Sequence, residues 1–284
     1  MSQTDRFELH AGDRRNPVLM GGDSLVVIAG PCVIESEESA RKIASAMAKA
    51  CDEAGLPFVF KASFDKANRT AVDAFRGPGI DEGLAILKRI RTDFGLPVTT
   101  DIHRIDQAAQ TAAVVDLLQI PAFLCRQTDL LVAAAETGVP VNIKKGQFQA
   151  PWDMVHALSK VRSVSDAGVM LTERGTSFGY NNLVVDMRSL AHMRALGVPV
   201  CFDATHSTQM PGGLGASSGG DRSMAPLLAR AAVGAGVHAV FMEVHDDPDN
   251  ARSDAASQLR LSGIGPVLKS LAGLHGLSPI RSDA

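Results

Sequence analysis

Eight short apolar runs recur along this chain, most followed by a segment of helical pattern, and that alternation constrains the fold more than any other feature. The predicted strands are Leu25–Ala29, Phe58–Phe60, Pro97–Thr100, Leu117–Ile120, Val141–Ile143, Val169–Leu171, Val198–Phe202 and Ala239–Met242. They are too short for helices and lack strict apolar–polar alternation, as expected of strands buried on both faces. Ser36 is placed to cap a helix with Glu37 and Glu38 in its first turn, ending near Gly55. A second helix is expected from about Ile80 to Phe94, stopped by Gly95 and Pro97, and a third from about Asn182 to Leu196, ending at Gly197. Strand then helix, repeated eight times, predicts an α/β protein built as a parallel (β/α)8 TIM barrel rather than an open sheet.

The 284 residues, 45% of them hydrophobic, match the size of one such barrel. No linker rich in Pro, Gly or Ser interrupts them, so a single domain over residues 1–284 is expected, with residues 1–23 as an N-terminal extension. Within that extension Phe7–Leu9 and Val18–Met20 can form a hairpin closing the barrel's bottom. The loop from His206 to Arg222, with PGGLG and SSGG, reads as a mobile lid. The polar N-terminus lacks a secretory signal, and no apolar run approaches the roughly 18 residues of a membrane helix, so a cytoplasmic protein with no membrane contact is expected. Cys32, Cys51, Cys125 and Cys201 show no CxxC spacing and read as free thiols. A net charge of -3 argues against a nucleic-acid partner; local cations on an acidic body suit small anions.

Ionisable residues crowd the predicted strand ends, where such barrels place their chemistry. Cys32 follows the first strand and Lys61 the second; Asp101 and His103 follow the third; Gln119 ends the fourth, with Arg126 beyond it. Lys144, then Glu173 and Arg174, then Asp203 and His206, then Glu243 and His245 follow the remaining four. Cys32, His206, Glu243 and Asp254 together form a plausible site for one divalent ion such as zinc, iron(II), manganese or cobalt. Taken singly, each is as readily a core thiol, a loop histidine or a surface acid. Lys61, Lys66, Asn68, Arg69, Arg126, Lys144 and Arg174 are groups that hold phosphate oxygens. A single buried lysine could instead be a Schiff-base nucleophile. Asp101 and His103 fit proton transfer or the orientation of a neighbour.

The strings AGPCVIES, KASFDKANRT, FRGPG, TTDIH, QIPAFLCRQTDL, VNIKKGQF, TERGTSFGYNNLVVDMR, FDATHS, PGGLG and FMEVH closely resemble the 3-deoxy-D-manno-octulosonate 8-phosphate (Kdo-8-phosphate) synthase family, from about Leu25 to about Leu261. That resemblance implies a (β/α)8 barrel assembling as a homotetramer, and condensation of phosphoenolpyruvate with D-arabinose 5-phosphate and water. It implies no organic cofactor. A cysteine at the AGPC position marks the family's metal-dependent members, with Cys32, His206, Glu243 and Asp254 as ligands. Lys61, Gln119, Arg126, Lys144 and Arg174 correspond to the phosphoenolpyruvate pocket, and Lys66 to a position between the substrates. Asn68, Arg69 and Thr70 correspond to the stretch gripping the sugar phosphate, where Thr70 replaces a serine and Ala71 lacks the next hydroxyl. Ser257 is carried over from the altered segment after Asp254. In the related synthase that takes erythrose 4-phosphate the loop reads KPRT, so Asn68 favours the five-carbon sugar.

Overall fold

In the computed structural model, residues 4–11, 17–213 and 219–277 are described. Eight parallel strands form a closed barrel: β1 (Val26–Gly30), β2 (Phe58–Lys61), β3 (Val98–Asp101), β4 (Leu117–Ile120), β5 (Val141–Lys144), β6 (Val169–Glu173), β7 (Val200–Asp203) and β8 (Ala239–His245). Each pairs with the next, and β8 pairs with β1, Ala239 opposite Val26, which closes the ring. Closure removes free sheet edges, and the surrounding helices cover the outer face.

Side-chain alternation divides the core in two. Val27 and Ala29 of β1 pack outward against helix Glu37–Ala54, whereas Val26 and Ile28 point into the barrel. The interior also holds Val59, Leu117, Met170, Cys201, Ala239 and Phe241. Strands Phe7–Leu9 and Val18–Met20 pair antiparallel, and Leu9, Val18 and Met20 join this inner cluster, so the hairpin plugs one end as the sequence predicts.

Helix Glu37–Ala54 is capped by Ser36, whose Oγ accepts from the Ser39 amide at 3.1 Å, and ends on Gly55 at φ 69°. Helix Ile80–Phe94 ends likewise on Gly95. The third expected helix is shorter than predicted. Leu183–Val184 pairs with Thr176–Ser177 instead, and the helix spans only Arg188–Arg194. Asn181 is left-handed at φ 54°, and the Asp186 carboxylate takes the Arg188 amide at 3.0 Å, fixing a late start. Several strands also run past their apolar runs. Lys61, Asp101, Lys144, Glu173, Asp203 and Glu243 lie inside strands, which holds them more rigidly than loops would. In the predicted lid, Gln209–Met210 pairs with Gly219–Gly220, and residues 214–218 lie outside the described residues.

Candidate active site and metal centre

A cavity of about 880 Å³ opens at the C-terminal ends of the strands. Lys61, Lys66, Asn68, Arg69, Thr70, Asp101, His103, Gln119, Lys144, Arg174, His206 and Asp254 all line it. Phe241 lies at its base: Lys144 Nζ sits 3.7 Å from the ring centroid and Lys61 Nζ 5.5 Å. An aromatic face there lets two ammonium groups be buried without quenching them by direct carboxylate contact alone.

Four chain-distant groups meet at one wall. Sulfur and oxygen atoms of Cys32, Glu243 and Asp254 lie within 4.8 Å of one another. His206 Nε2 is 3.5 Å from Glu243 Oε1 and 3.8 Å from Asp254 Oδ2. Cys32 Sγ lies 3.3 Å from Asp254 Oδ2 and 3.2 Å from Ser253 Oγ, two acceptors for its one hydrogen. Gln258 ties these loops together, accepting from the Cys32 amide at 3.2 Å and donating to the Ser253 carbonyl at 2.8 Å. Asp254 itself is held at φ 48°, a strained conformation for a non-glycine residue. Glu243 is fully buried, yet neither carboxylate oxygen has a hydrogen-bond partner among the described residues. A buried carboxylate so placed calls for a cation. Thiol, imidazole and two carboxylates suit a borderline divalent ion, so the residues present fit a metal.

Electrostatics separate the neighbours. Burial, then Asp254 and Glu243, push the Cys32 thiol well up, so the metal-free cysteine is protonated. Burial and then Lys66 lower the Lys61 ammonium. Burial also works against charge on Lys66, but the carboxylates of Glu243, Asp101 and Asp254 oppose it, and that ammonium stands well above its ordinary value. Burial works against ionised Asp101, and Lys61 and His103 overcome it, holding the carboxyl well below its usual range. A chain of contacts runs from Lys61 Nζ to Ser63 Oγ at 2.8 Å, on to Asp101 Oδ1 at 2.5 Å, and from Asp101 Oδ2 to His103 Nε2 at 2.9 Å.

On the far side Lys144 Nζ donates to Asp203 Oδ2 at 2.5 Å. Asp203 also receives the His206 amide at 2.9 Å and lies 2.8 Å from His206 Nδ1. Arg174 Nη2 donates to Gln209 Oε1 at 3.0 Å, while Nη1 is buried and unpaired. Arg69 Nη1 donates to Ser253 Oγ at 2.7 Å near the cavity mouth.

Two expected residues lie elsewhere. Arg126 is exposed and lines a separate depression of about 350 Å³ with Phe148, Asp153, His156 and Lys160. The 3-10 turn Ala122–Leu124 carries the chain outward before reaching it. Ser257 is buried behind the cavity, its hydroxyl donating to the Asp254 carbonyl at 3.2 Å. Conversely, Ser63, Asp203, Ser253 and Gln258 bond to site residues although the sequence assigned them no role. Ser63 could have been found by alternation, since it sits two residues from Lys61.

A family model described as the DAHP synthetase I family matches residues 7–273. A 2-dehydro-3-deoxyphosphooctonate aldolase of Desulfatibacillum aliphaticivorans is 58% identical over 254 residues, covering 89% of this chain and 93% of its own. One of Trichlorobacter lovleyi is 57% identical over 257 residues, 90% of this chain and 94% of its own. A Synechococcus protein of the same description is 55% identical over 269 residues, 95% of this chain and 94% of its own. With a match over most of its length and relatives more than half identical, the chain belongs to the DAHP synthetase I family and, within it, to the 2-dehydro-3-deoxyphosphooctonate aldolases, the Kdo-8-phosphate synthases.

Proposed function

We infer that the protein condenses phosphoenolpyruvate with D-arabinose 5-phosphate and water, giving 3-deoxy-D-manno-octulosonate 8-phosphate and inorganic phosphate for lipopolysaccharide synthesis. The observation that carries this is a cation-lined trough and a thiol–imidazole–carboxylate cluster sharing one cavity. Lys61, Gln119, Lys144 and Arg174 take phosphoenolpyruvate. The buried Arg174 Nη1, unpaired among the described residues, is a donor free to face an anionic ligand. Asn68, Arg69 and Thr70, at the mouth, take the sugar phosphate. Lys66 stands between the two and offsets repulsion between the anions. Arg126 stands outside this chain's own cavity, and Ser257 acts by supporting the Asp254 turn.

C3 of phosphoenolpyruvate bonds to the aldehyde carbon, whose oxygen becomes an alkoxide and takes a proton. Water adds at C2 and gives up one proton, matching the one the alkoxide takes; the new C2 hydroxyl then becomes the ketone as the bridging C–O bond breaks, its proton leaving with the phosphate. His103, aligned by Asp101 at 2.9 Å, receives the proton that the water loses. Cys32, His206, Glu243 and Asp254 hold one divalent ion, zinc, iron(II), manganese or cobalt; no organic cofactor is required. When bound, that ion supplies Lewis-acid polarisation of the aldehyde or orientation of water.

Lys61 has the lowered ammonium expected of a Schiff-base lysine. Its Nζ is nevertheless engaged by Ser63 Oγ and the Cys32 carbonyl, which favours electrostatic work. The assembly is a homotetramer in the cytoplasm. Phe123, Phe148, Trp152, Phe178 and Tyr180 stand exposed beyond β4, β5 and β6, an aromatic face suited to another copy. Among the described residues no helix is long and apolar enough to cross a membrane. Phosphate release should require arabinose 5-phosphate, fail with erythrose 4-phosphate and fall on chelation. Bridging oxygen label must leave with phosphate; label retained in the organic product, or borohydride trapping of substrate on the protein, would refute the scheme.

A further inference from the structure

Three cations and one carboxylate sit side by side at the strand ends of β5 and β6. Lys144 and Arg174 face the cavity. Their immediate neighbours, Lys145 and Glu173, point away from it and are sealed off from solvent, at 0% and 1% exposure. Lys145 Nζ is 3.5 Å from Glu173 Oε1. It also donates to the carbonyls of Gly146 at 3.3 Å, Gln149 at 3.4 Å and Gly175 at 3.4 Å, and to Thr176 Oγ1 at 3.1 Å. Glu173 Oε1 in turn accepts from the backbone amides of Arg174 at 3.1 Å and Gly175 at 2.7 Å. Gly175 has φ 93°, a turn that only glycine adopts readily.

We propose that Lys145 and Glu173 are a positioning pair that fixes the backbone beneath Arg174, and with it the phosphate-binding guanidinium. The pair joins the segment after β5 to the turn after β6, so the two cavity-facing cations keep one spacing. Arg174 needs such support because, among the described residues, its side chain has one hydrogen-bond partner, Gln209. A guanidinium held loosely in a buried cavity would lose the orientation that bidentate phosphate contact demands. Stability alone is a poor account of the pair. Burying two charges costs about as much as their attraction returns, and an apolar pair of the same volume would fold as well. Lys145 does not act as a nucleophile, since oxygens enclose its Nζ on the side away from the cavity.

The inference rests on the assignment of Arg174 to phosphoenolpyruvate. Its test compares the parent with Lys145→Met and Glu173→Gln, using the full chain. Phosphoenolpyruvate binding without sugar phosphate is read by calorimetry, so no turnover intervenes. KM for each substrate, kcat and the melting midpoint are read alongside. Each variant should weaken phosphoenolpyruvate binding and raise its KM about tenfold or more, as loss of residues that orient binding groups typically does. KM for arabinose 5-phosphate should stay within about twofold, because Arg69 is held by different residues. A lowered melting midpoint with phosphoenolpyruvate affinity unchanged would overturn the proposal, as would equal loss for both substrates. If Lys145→Met does not fold, Glu173→Gln decides, since it preserves side-chain size. A parent that binds phosphoenolpyruvate but makes no product sinks the reaction assignment and leaves the binding comparison decisive. A parent that binds none sinks both.

Discussion

Glu243 is where a metal in this site can be tested most sharply. Its carboxylate is fully buried, neither oxygen has a hydrogen bond among the described residues, and the ammonium groups of Lys61 and Lys66 both stand 3.7 Å away. An ion gathered by Cys32, His206, Glu243 and Asp254 binds the folded chain and not the unfolded one, because those residues are far apart in sequence. At free metal one hundred times Kd, such binding stabilises the fold by ~2.7 kcal/mol. For 284 residues the unfolding entropy is about 0.6 kcal/mol/K, from ~2.1 cal/mol/K per residue. Re-metallating chelated protein should therefore raise its melting midpoint by about 4–5 °C. In Glu243→Gln, a hundredfold weaker site would be half filled at the same free metal, worth ~0.4 kcal/mol and a rise below about 1 °C. Losing the charge also removes a partner of both lysines, so each protein is compared with its own chelated form. Scanning calorimetry with zinc, manganese and cobalt reads the difference. An equal rise in parent and variant, or no rise in the parent at saturating metal, would refute the four-ligand site.

Gly30→Ala should cripple the site without touching its chemistry. A Cβ there would lie 1.9 Å from the Lys61 carbonyl oxygen, so β1 and β2 must part by over about 1 Å, and misplacement of that size costs activity about a hundredfold. Parental KM and melting midpoint in that variant would contradict the packing. His238 predicts an acid-side loss of stability. Burial, then Arg194, lowers its imidazole from 6.5 to about 4, so between those values the unfolded chain takes up the proton more readily. Stability present above pH 6.5 is therefore lost as pH falls, by ~2 kcal/mol at pH 5 and ~3 kcal/mol near pH 4. Urea unfolding at pH 7.5 and 5 should show a shallower pH dependence in His238→Gln; an unchanged one would exclude His238 as the source.

The barrel was legible because parallel strands, buried on both faces, leave continuous apolar runs that no other element explains. Their ends were less legible. Lys61, Lys144 and Asp203 complete strands because β-pairing is a backbone property, and a polar side chain aimed into a functional cavity does not end it. The segment after Glu173 misled for a related reason: the apolar run Leu183–Val185 does not by itself separate helix from strand, and pairing with Thr176–Ser177 decides. The cavity-lining cations were visible from position alone. Arg126 was not separable from them, since the direction of the turn Ala122–Leu124 is set by packing. Lys145 was overlooked beside Lys144, although alternation along a strand sends adjacent lysines to opposite sides. Gln258 left no trace, because a buried amide spanning Cys32 and Ser253 has no sequence period.

Charge balance in the cavity carries a last consequence. Lys61, Lys66, Arg69, Lys144 and Arg174 line the cavity with Asp101 and Asp254, while Glu243 and Asp203 lie just behind it, against Lys61 and Lys144. Without metal, Glu243 draws on both Lys61 and Lys66 for compensation. A divalent ion adds two positive charges and displaces one proton from the Cys32 thiol. It also satisfies Glu243, which frees the two ammonium groups to face an anion. Metal and phosphoenolpyruvate should therefore bind with positive coupling, of the ~1–3 kcal/mol usual between linked sites, a factor of about 5–150. Linkage makes the effect reciprocal, so phosphoenolpyruvate must tighten metal by the same factor. Calorimetric titration of phosphoenolpyruvate into chelated and re-metallated protein measures one side, and a competing chelator indicator measures the other. Equal affinity in both forms would mean that the lysines are already free of Glu243, contrary to their shared distances.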